Sequence, residues 1–253
     1  MGSIMKDEIA LAAANFYNQA MSSPRALAAT LDHTLLKADA TREQVLHICA
    51  EAAQYRFACA MVNPSWVSTA VAALAGTDVP VGVVVGFPLG ASLMESKVDE
   101  AKRVISLGAH DVDMVMNVGA LKGGEYDTVA EDIRGVVEVA HSRGAIVKVI
   151  LETALLNFEE KLRASEIAVS AGADFIKTST GFSTGGATVD DIAQMRGVAG
   201  SRCGVKASGG VRSLADAQAM LRAGATRIGA SASVRIVQEL SGDVDATKSA
   251  VGY

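Results

Sequence analysis

The chain has 253 residues and a formal net charge of −5; half of its residues are hydrophobic and a fifth are charged. That apolar content offsets the ordering entropy of folding, which excludes a disordered chain, and the length suits either one barrel or two small domains. The acidic balance speaks against nucleic acid or an anionic membrane as partner, yet it leaves room for a local basic pocket around a small anion.

Residues 5–21 read as a helix with Ile9, Ala12, Ala13, Phe16 and Met21 on one face, suited to capping a barrel bottom or joining a dimer interface. From residue 31 onward, short β-branched runs alternate with stretches of helical spacing. Strands are expected at 31–35, 57–63, 81–87, 111–117, 145–152, 174–180, 203–208 and 226–230. Helices are expected at 42–54, 65–74, 93–107, 128–142, 159–170, 189–198, 214–222 and 232–240. Eight strands, each followed by a helix, imply parallel pairing under helical cover.

The joints recur. Ser106-Leu-Gly-Ala, Ser142-Arg-Gly-Ala, Ser170-Ala-Gly-Ala and Arg222-Ala-Gly-Ala each place Gly where a helix ends in a left-handed residue. No long linker interrupts the series. The expected fold class is therefore α/β, a (β/α)8 TIM barrel with an extra N-terminal helix. Its expected divisions are a helical extension at 1–25, a catalytic barrel at 26–240 and a mobile tail at 241–253.

Cys49, Cys59 and Cys203 are too few and too scattered for a disulfide framework, and no CxxC pair suggests zinc. The N-terminus lacks a basic-plus-apolar signal pattern, and the longest apolar stretch, 79–90, is short and contains Pro80 and Pro88. A cytoplasmic protein with reduced thiols is expected.

Buried parallel strands should be almost wholly apolar. Four of these are not. Side chains alternate between the faces of a strand, so Val112, Met114 and Met116 turn toward the helices while Asp113 turns into the barrel. The same alternation sends Lys148 and Glu152, Lys177, and Lys206 inward from the next three strands. The lysines are spaced 29 residues apart each time, one βα unit, which predicts similar heights on neighbouring strands. Asp32 joins from the first strand. One such lysine alone reads as a buried salt bridge, or as a stem that packs while its ammonium reaches water. Three together make like charges share a desolvated space, and the cheapest relief is one neutral amine. A neutral amine attacks carbonyl carbon, which points to imine chemistry.

Glycine-rich turns follow the same strands: Thr180-Gly-Phe-Ser-Thr-Gly-Gly186, Ser208-Gly-Gly-Val-Arg212 and Gly229-Ala-Ser231. Backbone N–H groups in such turns, together with helix N-termini, favour a phosphate. The expected substrate is a phosphorylated carbonyl compound.

The segments Phe175-Ile-Lys-Thr-Ser-Thr-Gly-Phe182, Val205-Lys-Ala-Ser-Gly-Gly-Val-Arg212, Lys148-Val-Ile-Leu-Glu-Thr153, Leu31-Asp-His-Thr34 and Asp111-Val-Asp-Met-Val115 resemble the deoxyribose-phosphate aldolase family. The resemblance runs from about residue 31 to the C-terminus. It implies a class I aldolase without metal or other cofactor, acting on a small phosphorylated sugar and aldehydes, in a possible homodimer or higher homo-oligomer. It implies Lys177 as the imine-forming lysine, Lys206 as the second lysine that keeps it neutral, and Asp113 as the proton-transfer carboxylate. Lys148 and Asp32 match the supporting network. Thr180, Gly181, Gly209, Gly210 and Ser231 match substrate- and phosphate-side positions. Tyr253 resembles a C-terminal tyrosine that some members fold over the site. Phe182 stands where certain members carry a lysine, and Ala232 where some carry a second serine; Ala207 and Ser208 replace the proline and alanine of a Lys-Pro-Ala-Gly-Gly pattern.

The residues alone also admit another lysine-imine aldolase of phosphorylated sugars, or a catalytically silent phosphosugar-binding barrel. Cys59 reads as a small buried hydrophobe. The four histidines show no ligand spacing, and Trp66 reads as a packing anchor.

Overall fold

A computed structural model describes residues 2–243. Eight parallel strands close into a barrel in chain order: β1 (Leu31–Leu35), β2 (Cys59–Val62), β3 (Val81–Val85), β4 (Asp111–Val115), β5 (Ile146–Ile150), β6 (Phe175–Lys177), β7 (Gly204–Ser208) and β8 (Arg227–Ala230). The closing pair sets Leu31 against Ile228 and Asp32 against Gly229. This is the (β/α)8 barrel read from the alternation.

The helices are α1 (Gly2–Ala20), α2 (Pro24–Ala28), α3 (Arg42–Tyr55), α4 (Val67–Ala73), α5 (Met94–Ser106), α6 (Val118–Lys122), α7 (Tyr126–His141), α8 (Phe158–Ser170), α9 (Val189–Ala199), α10 (Leu214–Arg222) and α11 (Ser233–Ser241). Local chemistry sets their ends. Thr41 with Gln44, Asn157 with Glu160, and Ser213 with Asp216 form reciprocal capping boxes. Each cap is worth about 1 kcal/mol. The recurring Gly of all four joints takes positive φ, 92° at Gly172 for instance, where a β-carbon would be strained. The five-residue helices α2 and α6 were not expected. They are too short to show a period.

The main core lies between barrel and helices. Val112, Met114, Val147, Val149, Leu151, Ile176, Val205, Ala207 and Ile228 are all fully buried there. Each large apolar side chain contributes about 1.5–3 kcal/mol. This layer uses every second strand residue, so the intervening ones are committed to the barrel interior. A buried ion pair also lies within the helical layer: Lys97 of α5 is fully buried and reaches Asp132 of α7 at 2.6 Å and the Val115 carbonyl at 2.9 Å.

Helix α1 packs on the outside of the helical ring, against α10 and also α9 and α2. Ala20 is buried and Ile9, Ala13, Phe16 and Tyr17 are partly buried, whereas Ala12 faces solvent. The Arg222 guanidinium lies 4.8 Å above the Tyr17 ring and donates to its hydroxyl at 2.7 Å. The expected tail lies beyond the described residues from 244 onward. No helix among the described residues is long and apolar enough to cross a membrane.

Candidate active site

The inward residues of the strands form one sealed cluster of charge. Lys148, Lys206, Asp32 and Asp113 have no exposed surface, and Lys177, nearest the C-terminal end, is 3% exposed. Lys177 and Lys206 both donate to Oδ2 of Asp113, at 2.8 and 2.6 Å. Lys206 also donates to Oδ2 of Asp32. Lys148 donates to Oδ2 of Asp111 at 2.6 Å and lies 3.1 Å from Oδ1 of Asp113. Below them, Arg227 reaches Oδ1 of Asp32 at 2.8 Å and Oδ2 of Asp111 at 3.4 Å, with its guanidinium 5.2 Å from the Phe175 ring centroid.

Lys177 and Lys206 are register partners across β6 and β7, as their spacing predicted. Lys148 pairs with Asp113 on one side and Phe175 on the other, while Lys177 pairs with Ile150. Strands of a closed barrel tilt and stagger by about one residue per strand, so register partners are offset in height along the barrel axis. With that offset Lys148, Lys177 and Lys206 lie within about one residue of one another, the similar heights that the spacing predicts.

This geometry separates the three amines. Burial pulls the Lys177 ammonium down, and the positive charges of Lys206 and Lys148 add to that. The Asp113 carboxylate opposes them, and the result is about 8 against an ordinary 10.5. Lys206 and Lys148 are also penalised by burial. Each faces more than one carboxylate, however, and both are raised above the ordinary value. Burial pushes the Asp113 carboxyl up, but Lys148, Lys177 and Lys206 outweigh it and hold it well below the carboxylate range. The arrangement thus yields one reactive amine, two firm cations and one firm carboxylate.

Above Lys177 the chain turns through the glycine-rich segment. Glu152 is buried and takes the left-handed conformation, φ 56°. Its carboxylate accepts from the Thr180 hydroxyl and backbone N–H, and the same hydroxyl accepts from Phe182 N–H at 3.0 Å. This clamp fixes the start of the β6 loop. Gly181, Gly209 and Gly210 all have φ 84°. The β6 and β7 loops meet closely: Ala187 N–H donates to the carbonyls of Ser208 and Gly209, at 3.1 and 3.0 Å. A β-carbon at Gly186 would fall 2.3 Å from the Gly209 oxygen. Ser231 is exposed one residue past the end of β8, and the first turn of α11 after it has no side-chain cap. The hydroxyls of Ser179 and Ser208 are buried without a hydrogen-bond partner. Phe182 is half exposed and packs edge-on against Phe87 at 5.3 Å.

The structure brings together Asp32, Asp113, Lys148, Lys177 and Lys206. Thr180, Gly181, Gly209, Gly210 and Ser231 follow the C-terminal ends of β6, β7 and β8. Tyr253 lies outside the described residues. Asp111 and Arg227 were missed, although the signal was present. Asp111 shares the parity of Asp113, and Arg227 alternates with the outward Ile228. Cys59 is fully buried in the barrel, where burial pushes its thiol up. It lies with Asp32 and Asp111 in the one grouping of potential metal ligands among the described residues. Both carboxylates of that grouping already face Lys148 and Arg227. A groove of about 760 Å³ beside α1 and α9 is lined by none of the interior charges.

Residues 26–239 match a family described as DeoC/LacD family aldolase. The chain is 59% identical over 212 residues to deoxyribose-phosphate aldolase of Geobacillus sp. (strain WCH70), covering 84% of this chain and 95% of that relative. It is 58% identical over 211 residues to the Bacillus cereus (strain AH187) enzyme of the same name, with 83% and 94% covered. Among solved structures it is similar to a deoxyribose phosphate aldolase from Aeropyrum pernix, described as having a unique tetrameric structure. That likeness has a TM-score of 0.84 at 34% identity, and covers 94% of this chain and 99% of that one.

Proposed function

This chain belongs to the DeoC/LacD family of aldolases, and from that premise we propose that it reversibly cleaves 2-deoxy-D-ribose 5-phosphate into acetaldehyde and D-glyceraldehyde 3-phosphate through an imine on Lys177. The observation that carries the reading is the pair of lysines on one carboxylate oxygen, with the outer amine held near 8. A silent binding barrel has no use for a buried amine destabilised as an ammonium.

The steps follow from these groups. The Lys177 lone pair attacks the C1 aldehyde of the open-chain sugar, and water leaves as the imine forms. The C3 hydroxyl gives up its proton and its O–H electrons become a carbonyl. The C2–C3 bond breaks, and its electrons flow into the protonated imine to give an enamine. The enamine takes a proton at C2, and hydrolysis returns acetaldehyde and the free amine. Asp113, held ionised, serves the proton transfers. Lys206 stays charged, and so keeps Lys177 neutral and Asp113 ionised. Lys148 and Asp32 hold these two in place. Thr180, Gly181, Gly209, Gly210 and Ser231 receive the phosphate end through backbone N–H groups and a hydroxyl. Tyr253 is proposed as an auxiliary proton-transfer group. Self-association is proposed by analogy with the tetramer described for the Aeropyrum pernix relative.

The test has two parts. Turnover of 2-deoxy-D-ribose 5-phosphate is expected. Acetaldehyde with cyanoborohydride is expected to leave an ethyl group on Lys177, located by peptide mass spectrometry. An adduct elsewhere, or none, would sink the assignment.

A further inference from the structure

The barrel interior holds four cationic side chains and only three carboxylates. Lys148, Lys177, Lys206 and Arg227 face Asp32, Asp111 and Asp113, and among the described residues one ion pair leads out of this set, from Asp111 to His110. Around the barrel, β1 contributes Asp32, β4 contributes Asp111 and Asp113, and β5 to β8 contribute one cation each. From β2 come Cys59 and Met61 and from β3 Gly82 and Val84, so neither strand adds a carboxylate or a cation. Glu152 is buried above the cluster but makes no ion pair with any of the four cations; its carboxylate is held by Thr180. His110 lies at the lower edge, 2.9 Å from Oδ1 of Asp111, with half of its side chain exposed. The hydrogen bond to Asp111 raises its imidazole above the ordinary value, and when protonated it adds a further positive charge beside that carboxylate, on the same side of the balance as Arg227.

A desolvated cluster with one excess cation is relieved by the loss of one proton. Arg227 cannot supply it, because a guanidinium stays charged. Lys148 and Lys206 each face more than one carboxylate, whereas Lys177 faces Asp113 alone. The proton therefore leaves Lys177. We propose that Arg227 is a positioning residue of the aldolase reaction: bound to Asp32 and Asp111 at the bottom of the barrel, it supplies the excess positive charge that leaves Lys177 unprotonated at the top. Arg227 acts through those carboxylates, each of which it shares with a lysine.

The inference rests on Lys177 being the imine-forming amine, and the experiment keeps the two apart. The probe is acetaldehyde with cyanoborohydride on the full chain, and the initial rate of ethylation at Lys177 is followed against pH. Ethylation of the wild type at Lys177 tests the assignment; the midpoints of the variants test the role of Arg227. Arg227→Met leaves three cations on three carboxylates. Its midpoint is expected to rise by about one pH unit, about a tenfold loss of reactive amine at any pH below the midpoint. Arg227→Lys restores the charge and should return the midpoint to the wild-type value. Asp111→Asn deepens the excess and should lower the midpoint, and the double variant Arg227→Met with Asp111→Asn should bring it back. An unmoved midpoint in Arg227→Met overturns the proposal. So does an Arg227→Lys midpoint as high as that of Arg227→Met, because the role would then be packing. If Arg227→Met does not fold, Asp111→Asn alone decides: a midpoint at or above the wild-type value overturns the proposal.

Discussion

Replacing Lys206 by Leu removes the cation that shares an oxygen of Asp113 with Lys177. The two ammonium nitrogens lie 2.6 and 2.8 Å from that oxygen, so they are no more than 5.4 Å apart. At an effective dielectric of about 20, like charges at that separation repel by about 3 kcal/mol, or about two pKa units. Lys206→Leu also leaves the Asp113 oxygen to Lys177 alone, which pushes in the same direction. The Lys177 amine, held near 8 in the intact site, should return to the ordinary lysine range. At neutral pH its neutral fraction then falls about a hundredfold. The assay is the pH dependence of turnover and of ethyl trapping in the same variant. Both should be about a hundredfold slower near pH 7, and trapping should recover as the pH passes 10. Recovery of trapping without recovery of turnover would assign Lys206 a further part in proton transfer. A neutral-pH trapping rate like that of the wild type would refute the electrostatic reasoning, because the repulsion would then be absent.

Lys177 itself should weaken the fold at neutral pH. Its pKa drops from 10.5 to about 8 on folding, so the unfolded chain binds more protons between those values and stability rises with pH across that window. Below the window the penalty is about 3 kcal/mol at most. Lys177→Met is therefore expected to raise the urea midpoint at pH 7 and to lose that advantage as the pH approaches 10.5; a variant less stable than wild type at pH 7 would contradict this. Gly186→Ala would set a β-carbon 2.3 Å from the Gly209 oxygen and part the β6 and β7 loops. KM for the phosphorylated substrate should rise about tenfold, with a smaller effect on kcat; steady-state kinetics showing an unchanged KM would mean that these loops do not hold the phosphate end.

Much of this site was legible in the chain. The run Asp111-Val-Asp-Met-Val115 declares its own inward face, because Val112 and Met114 can only turn toward the helices. The same holds for Lys177 beside Ile176 and Lys206 beside Val205. Arg227 escaped notice because it opens a short strand, next to Thr226, with little apolar context on its N-terminal side. Its partners Asp32 and Asp111 are 195 and 116 residues away in the chain. The short helices α2 and α6 escaped because five residues cannot display a 3.6-residue period.

What the sequence determined by itself was the alternation of strand and helix, the closing glycines and the parity of each charged residue. All of these are local properties of the backbone. Only the tertiary structure decided the partners. The register of a closed barrel put Lys177 opposite Lys206 and Lys148 opposite Asp113. It also decided the charge count, since four cations and three carboxylates become one electrostatic unit only when the ring closes and brings β8 back beside β1. Register and desolvation are set by partners far apart in the chain, and in this barrel they single out Lys177 among its three lysines.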